Sequence, residues 1–205
     1  MINNFFKRFC TSIILAPVVM LCIYYGDNFF LGLLITVLFV GIYEIYNLKI
    51  LYTKLLLFFL LFFFTFLIFK IRVSENGMLY VFYIIILTWL SDIGGYFFGK
   101  LIGGKKIKFI SPNKTFSGFL GSILFSQFSI IFIINFNLFI EYDLLFKIII
   151  TTSLCLLIII GDLFFSYIKR INKIKDYSNI FPGHGGMFDR IDGLIFAVIF
   201  INIYL

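Results

Sequence analysis

The sequence predicts an all-α protein, a polytopic bundle of about seven transmembrane helices whose polar loops gather on one side of the membrane. Three observations lead there. First, the 205 residues are 62% hydrophobic and 21% aromatic but only 13% charged, whereas a soluble domain is about a quarter charged. Thirty-one phenylalanines exceed what one small aqueous core holds, so lipid must solvate many of them. Second, seven apolar runs approach the ~20 residues that a membrane helix needs. Third, the loops between the runs alternate in charge. No long polar stretch interrupts the pattern, which implies a single integral domain over 1–205, with N-terminal spans to about 75 and a second half from about 78.

The first run, 9–25, follows Lys7 and Arg8 like the core of a signal peptide. It lacks a small-x-small cleavage site and is read as an uncleaved first span. The next five runs are 29–48, 51–69, 78–99, 116–139 and 144–168. The last, 187–205, has a clean apolar stretch only from Leu194, so it spans only if its helix starts near Met187. The N-terminus, Lys49 with Lys54, five lysines between 100 and 115, and the basic stretch 169–190 then share the cytoplasmic side. Lys70 and Arg72 run against this assignment. The net charge of +7 is spread over these loops, which argues against a nucleic-acid partner. Cys10, Cys22 and Cys155 all lie in apolar runs, unpaired and without metal spacing, and are read as small core residues.

Charge inside a span is costly, about 2.5–3.5 kcal/mol at a helix centre on insertion scales. Glu44, Asp92 and Asp162 nevertheless fall within predicted spans. Asp92 is followed by Gly95, Gly99 and Gly103 at helical spacing, one carboxylate beside a strip of bare backbone. Small-xxx-small packing accounts for the glycines but not for the acid. Asp162, Ser166, Lys169 and Lys173 form a polar stripe that runs out toward a basic loop. A snorkelling helix end accounts for the lysines, not for Asp162.

The loop carries "PGHGG", in which Gly183, Gly185 and Gly186 expose backbone N–H groups as an anion-cradling nest does. It holds the chain's only histidine, His184, whose role as base, phosphate ligand or structural donor stays open. Asp189 and Asp192 follow three apart on one helix face, with Arg190 between them. Carboxylates among cations at a membrane surface point to Mg²⁺ bridging phosphates, because magnesium prefers one or two carboxylates plus phosphate oxygens. Lysine and arginine then neutralise the remaining phosphate charge.

These residues resemble the signature of the phosphatidate cytidylyltransferases, or CDP-diacylglycerol synthases. The pattern S-x-x-K-R-x₄-K-D is matched by Ser166, Lys169, Arg170, Lys175 and Asp176. The pattern P-G-H-G-G-x-x-D-R-x-D is matched by Pro182, Gly183, His184, Gly185, Gly186, Asp189, Arg190 and Asp192. "GDL" at 161–163, "SDIGGYFFGKLIGGKK", "ISPNKTFSG" with Ser111 and Lys114, "KRFCTSIILAPVV" and "YEIY" also resemble family elements, so the likeness spans nearly the whole chain. It implies transfer of the cytidylyl group of CTP to phosphatidic acid, giving CDP-diacylglycerol and pyrophosphate in phospholipid biosynthesis. It also implies Mg²⁺ with a place for K⁺, a homodimer, and catalytic loops on the cytoplasmic side of a bacterial inner membrane.

On this reading Asp92, Asp162 and Asp189 hold the metal, while Lys114, Lys169, Arg170, Lys175 and Arg190 surround the phosphates. Ser111, Ser166, Asp176, the PGHGG glycines and Asp192 complete the substrate contacts, with His184 among the catalytic residues. The chain departs from the common pattern at Phe165 and Ser117, where many members carry glutamate, and at Asn113, where many carry lysine. It is also shorter than most members. Competing readings are a related enzyme with a prenyl or ether-lipid acceptor, a CTP-dependent lipid kinase, an ion transporter relaying through Asp92, Asp162 and Glu44, and an inactive scaffold.

Overall fold

A computed structural model describes residues 2–105, 115–183 and 185–205, with the side chains of residues 2–10 excepted. Eight helices follow one another among the described residues: α1 (Ile2–Tyr25), α2 (Asp27–Tyr46), α3 (Leu51–Val73), α4 (Gly77–Leu101), α5 (Phe116–Ser126), α6 (Ser129–Asn135), α7 (Leu144–Ile171) and α8 (Phe188–Ile201). The all-α bundle is the one expected. Five segments are long and apolar enough to cross a bilayer: α2, α3, α4, the α5–α6 pair and α7. The apolar part of α1, Thr11–Tyr25, is shorter.

The lipid-facing character is visible residue by residue. In α3, Leu57 and Leu61 are fully buried, while Phe59 and Phe66 on the opposite side are exposed. A helix that is apolar all round and still exposes phenylalanine faces hydrocarbon rather than water. The segment expected as one helix over 116–139 breaks at Gln127–Phe128 and ends at Asn135. Ser126 Oγ and Ser129 Oγ each donate to the carbonyl three residues back, a local competition that bends apolar helices.

The last helix, α8, starts at Phe188, close to where the sequence required it to start. Its 14 residues make only about 21 Å of helix. Ile195, Ala197, Val198 and Ile201 are wholly buried, and the helix lies chiefly along α7, with α3 and α4 beside it. It is a core helix sheltered by longer ones. Its approach to α7 is close enough that a Cβ on Gly161 would lie 2.7 Å from the carbonyl oxygen of Asp192, and one on Gly193 would lie 2.7 Å from Ile158. On the other flank a Cβ on Gly94 would lie 2.3 Å from the Gly121 carbonyl. The glycines of α4 therefore serve close packing against α5.

Polar contacts sort the corners into two ends. At one end Thr11 Oγ1 donates to the Pro182 carbonyl at 3.0 Å. At the same end the buried Asn172 side chain ties the α2–α3 corner to the end of α7. Its Oδ1 accepts from the amides of Lys49 and Ile50 at 3.2 and 3.3 Å, and its Nδ2 donates to Thr53 Oγ1 at 3.1 Å. Three of the segments expected on one side, the chain start, the Lys49 corner and the 169–190 stretch, thus meet. At the opposite end Arg72 Nε donates to the Ile23 carbonyl at 3.0 Å. A cation that ran against the charge pattern is thereby accounted for: it caps the carbonyl end of α1.

Asn172→Ala strips two part-buried backbone amides of their acceptor. It is expected to lower stability by about 1–3 kcal/mol, read as a shifted unfolding midpoint in detergent, whereas an unshifted midpoint would mean that water replaces the side chain.

Candidate active site

The stripe on α7 supplies the first components. Asp162 and Ser166 are half-buried one turn apart, with Ser166 Oγ donating to Asp162 Oδ1 at 3.4 Å. Lys169 is next, but Lys173 is not part of the helix. The helix ends at Ile171, and Lys173 takes a left-handed φ of 57°. The amide of Lys173 donates to the Arg170 carbonyl and that of Ile174 to the Lys169 carbonyl, the paired bonds of a Schellman stop. The expected stripe therefore stops at Lys169. The glycine strip on α4 likewise stops at Gly99, because Gly103 lies beyond Leu101 with φ 64°.

Asp189, in the first turn of α8, is the anchor of the loop. Its Oδ1 accepts from Lys169 Nζ at 2.6 Å, with the side chains only 15% and 5% exposed. Its Oδ2 accepts from the amides of Tyr177 at 3.0 Å and Gly186 at 2.9 Å. One carboxylate thus joins α7, both ends of the loop and the start of α8. Gly186 was expected to offer its N–H to an anion, and the structure turns that donor to Asp189. Gly183 and Gly185 have φ of 78° and 83°, and the Phe181 amide donates to the Gly185 carbonyl at 3.0 Å, so the turn closes on itself as a small hairpin. His184, Ser111 and Lys114 lie outside the described residues.

An aromatic cluster supports this loop from below. Phe165 is fully buried and stacks on Phe188 at 5.7 Å, with Tyr177 at 6.2 Å. The position where the resemblance leads one to expect a glutamate therefore faces the hydrophobic floor of the loop. Tyr177 donates its hydroxyl to the Phe165 carbonyl at 3.2 Å, and its ring lies 5.6 Å from Lys169 Nζ. Burial, and then the carboxylates of Asp189, Asp192 and Glu44, push its phenol above the ordinary range, so it stays a donor. Ser117, the other departure, bonds to the Gly103 carbonyl and lies 3.0 Å from Thr115 Oγ1. Thr115 in turn caps α5 by accepting from the Gly118 amide at 3.1 Å.

Between α4, α5 and α7 lies a cavity of about 760 Å³. Asp92, Lys100, Thr115 and Asp162 line it, together with the apolar side chains of Phe116, Phe119, Ile159 and Leu163. Asp192 sits beside it, within the electrostatic reach of Asp162, Asp92 and Lys169. The close α7–α8 packing at Gly161 and Gly193 brings Asp162 and Asp192 together. Asp92, Asp162 and Asp189 do not form one three-carboxylate nest, and among the described residues no group of three or more His, Cys, Asp or Glu is placed to hold a metal ion. Arg170, Lys175, Asp176 and Arg190 are exposed around the loop.

One acid outside the expected site belongs to this region. Glu44, on α2, is fully buried. It accepts from Ser178 Oγ at 2.6 Å, the Met187 amide at 2.7 Å and the Phe188 amide at 3.0 Å. The signal for it was the energetic cost of an acid within a span. Its partners are more than a hundred residues away, and nothing local in the sequence points to them.

Comparison with known proteins identifies the family. The family model described as the cytidylyltransferase family matches residues 48–205. A phosphatidate cytidylyltransferase of Staphylococcus haemolyticus is 39% identical over 135 residues, covering 64% of this chain and 50% of that protein. One of Bacillus subtilis is 38% identical over 136 residues, covering 65% and 50%. One of Aquifex aeolicus is 33% identical over 183 residues, covering 89% of this chain and 68% of that protein. The chain thus spans about half the length of the first two relatives. With the matched stretch holding α3 to α8 and every acid of the cavity, the chain belongs to the cytidylyltransferase family.

Proposed function

We propose that this protein is a phosphatidate cytidylyltransferase. In the reaction a phosphate oxygen of phosphatidic acid attacks the α-phosphorus of CTP. The bond to the β-phosphate oxygen breaks, and CDP-diacylglycerol and pyrophosphate result. The observation that supports it best is the cavity: two carboxylates and a lysine set into apolar walls between membrane helices. Such a place suits an anionic headgroup whose acyl chains remain in lipid. The names of the relatives agree.

The residues present suit a magnesium ion held by one or two carboxylates and completed by phosphate oxygens. Asp162 would be its principal ligand, with Asp92 across the cavity. Asp189 is engaged by Lys169 and two amides and would contribute a free lone pair at most. When bound, the ion would neutralise charge on the transferring phosphoryl group. A monovalent cation such as K⁺ has a place in the same reading.

The remaining work falls to this chain's own side chains. Arg170, Lys175 and Arg190, exposed at the loop, meet the triphosphate, and Lys169 holds Asp189 in place for it. The attacking oxygen is already ionised, so no general base is demanded, and the load is positioning and charge neutralisation. The apolar walls exclude the water that would compete as nucleophile. The reading places the loop on the cytoplasmic side of a bacterial inner membrane, in a homodimer. Purified protein in detergent is expected to release pyrophosphate only when CTP, Mg²⁺ and phosphatidic acid are all present. Release of CDP in its place would make it a lipid kinase. No release with phosphatidate, prenyl or ether-lipid acceptors would overturn the proposal.

A further inference from the structure

Glu44 lies four residues ahead of the stretch that the family model matches, yet its carboxylate is wholly engaged by the catalytic loop. Both oxygens act as acceptors. Oε1 takes the Ser178 hydroxyl and the Met187 amide, and Oε2 takes the Phe188 amide. The two amides are orphan donors at the start of α8, for which the helix backbone offers no acceptor, and the positive end of that helix faces the carboxylate. The fit leaves no slack. A Cβ on Gly186 would stand 2.2 Å from Glu44 Oε1, so the second glycine of the GG pair is where the loop passes over the acid.

From the shape of these contacts we infer that Glu44 is a positioning residue of the transfer reaction: a carboxylate latch on α2 that seats the 178–188 segment and thereby aims Asp189. Asp189 follows Phe188 directly, and its own anchors, the amides of Tyr177 and Gly186, flank or lie on the same segment. The latch has a companion at the other end of the loop, where Asn172 holds the α2–α3 corner. The N-terminal half of the bundle therefore grips the loop at both ends. The inference rests on the cytidylyltransferase reading only for the reaction it serves, because the latch itself is geometry.

Glu44→Gln is the discriminating variant. It keeps the volume, but either orientation of the carboxamide sets its NH₂ against the Met187 or the Phe188 amide. Hydrogen exchange at those amides is expected to speed up, and kcat for pyrophosphate release to fall on the order of 100-fold, as for other misplaced sites. The melting profile should hold within a few degrees, and the KM for CTP should change far less than kcat. Combining Gly186→Ala with Glu44→Ala should add little to either alone, because both remove one contact.

Unchanged exchange, or faster exchange with kcat intact, would overturn the inference, as would a lowered kcat with exchange unchanged. Should Glu44→Gln fail to fold, Ser178→Ala removes one of the three donors and reads the same two quantities in milder form. If the wild type releases no pyrophosphate with any acceptor, the functional reading fails by itself. The exchange arm then decides the latch: faster in the variant upholds it, unchanged rejects it.

Discussion

Asp162→Asn is expected to reduce pyrophosphate release at least about 100-fold while leaving the protein inserted, folded and able to bind CTP. The substitution preserves shape and one oxygen, so the helix and the contact with Ser166 survive. What it removes is the negative charge facing the cavity between α4 and α7. A hard divalent ion completed by phosphate oxygens depends on that charge, and charge stabilisation usually contributes more to such a transfer than any other effect. Lost binding that matters only in the transition state appears in kcat and kcat/KM together. The measurement is a steady-state series in CTP at fixed phosphatidate, run beside Asp92→Asn. If Asp162→Asn retains normal turnover while Asp92→Asn does not, the principal ligand sits on α4 and the assignment is reversed. If both retain it, the cavity is not the reaction site.

Why Asp162 was legible in the sequence and the partners of Glu44 were not follows from how each acid is satisfied. Asp162 sits in a run whose polar neighbours recur at helical spacing on the same helix, so its face can be drawn from sequence alone. The five apolar segments long enough to cross a bilayer were legible for a similar reason, since hydrocarbon demands length and apolarity locally. Where the segments stop was harder to read. The halt at Lys173 is a left-handed residue at a position where glycine is usual, and the break at Gln127 coincides with two serine side chains bonding backward. Both are choices of backbone geometry that the hydropathy pattern does not register.

The loop divides in the same way. PGHGG reads as an anion nest because its glycines are recognisable, yet the Gly186 donor turns inward to Asp189. That destination is set by how α2, α7 and α8 converge. Phe165 makes the same point from the other side. A position marked by its departure from the family pattern proves to be the buried floor under Tyr177 and Phe188. Sequence marked the polar groups that stand out from the apolar background better than it marked what they touch.

Lys169 and Asp189 should behave as one unit whose halves cannot be removed separately. Their contact is 2.6 Å long and scarcely exposed, so neither partner recovers much hydration when the other is lost. Breaking a buried pair by deleting one member typically costs about 3–5 kcal/mol, because an uncompensated charge remains. Asp189→Ala also frees the amides of Tyr177 and Gly186, and it should stand at the upper end of that range. Lys169→Met leaves those amides held, fills the space beside the Tyr177 ring and should fall at the lower end. The double variant has no stranded charge, so its loss should be smaller than the sum by about 1–3 kcal/mol. Equilibrium unfolding in mixed micelles measures all three against wild type. Activity should follow a different rule: on the proposed role of Asp189 in seating the loop, the double variant is expected to be no more active than Asp189→Ala however much stability it regains. Additive stabilities would mean that solvent screens the pair, and Glu44 and the aromatic floor would then be what seats the loop.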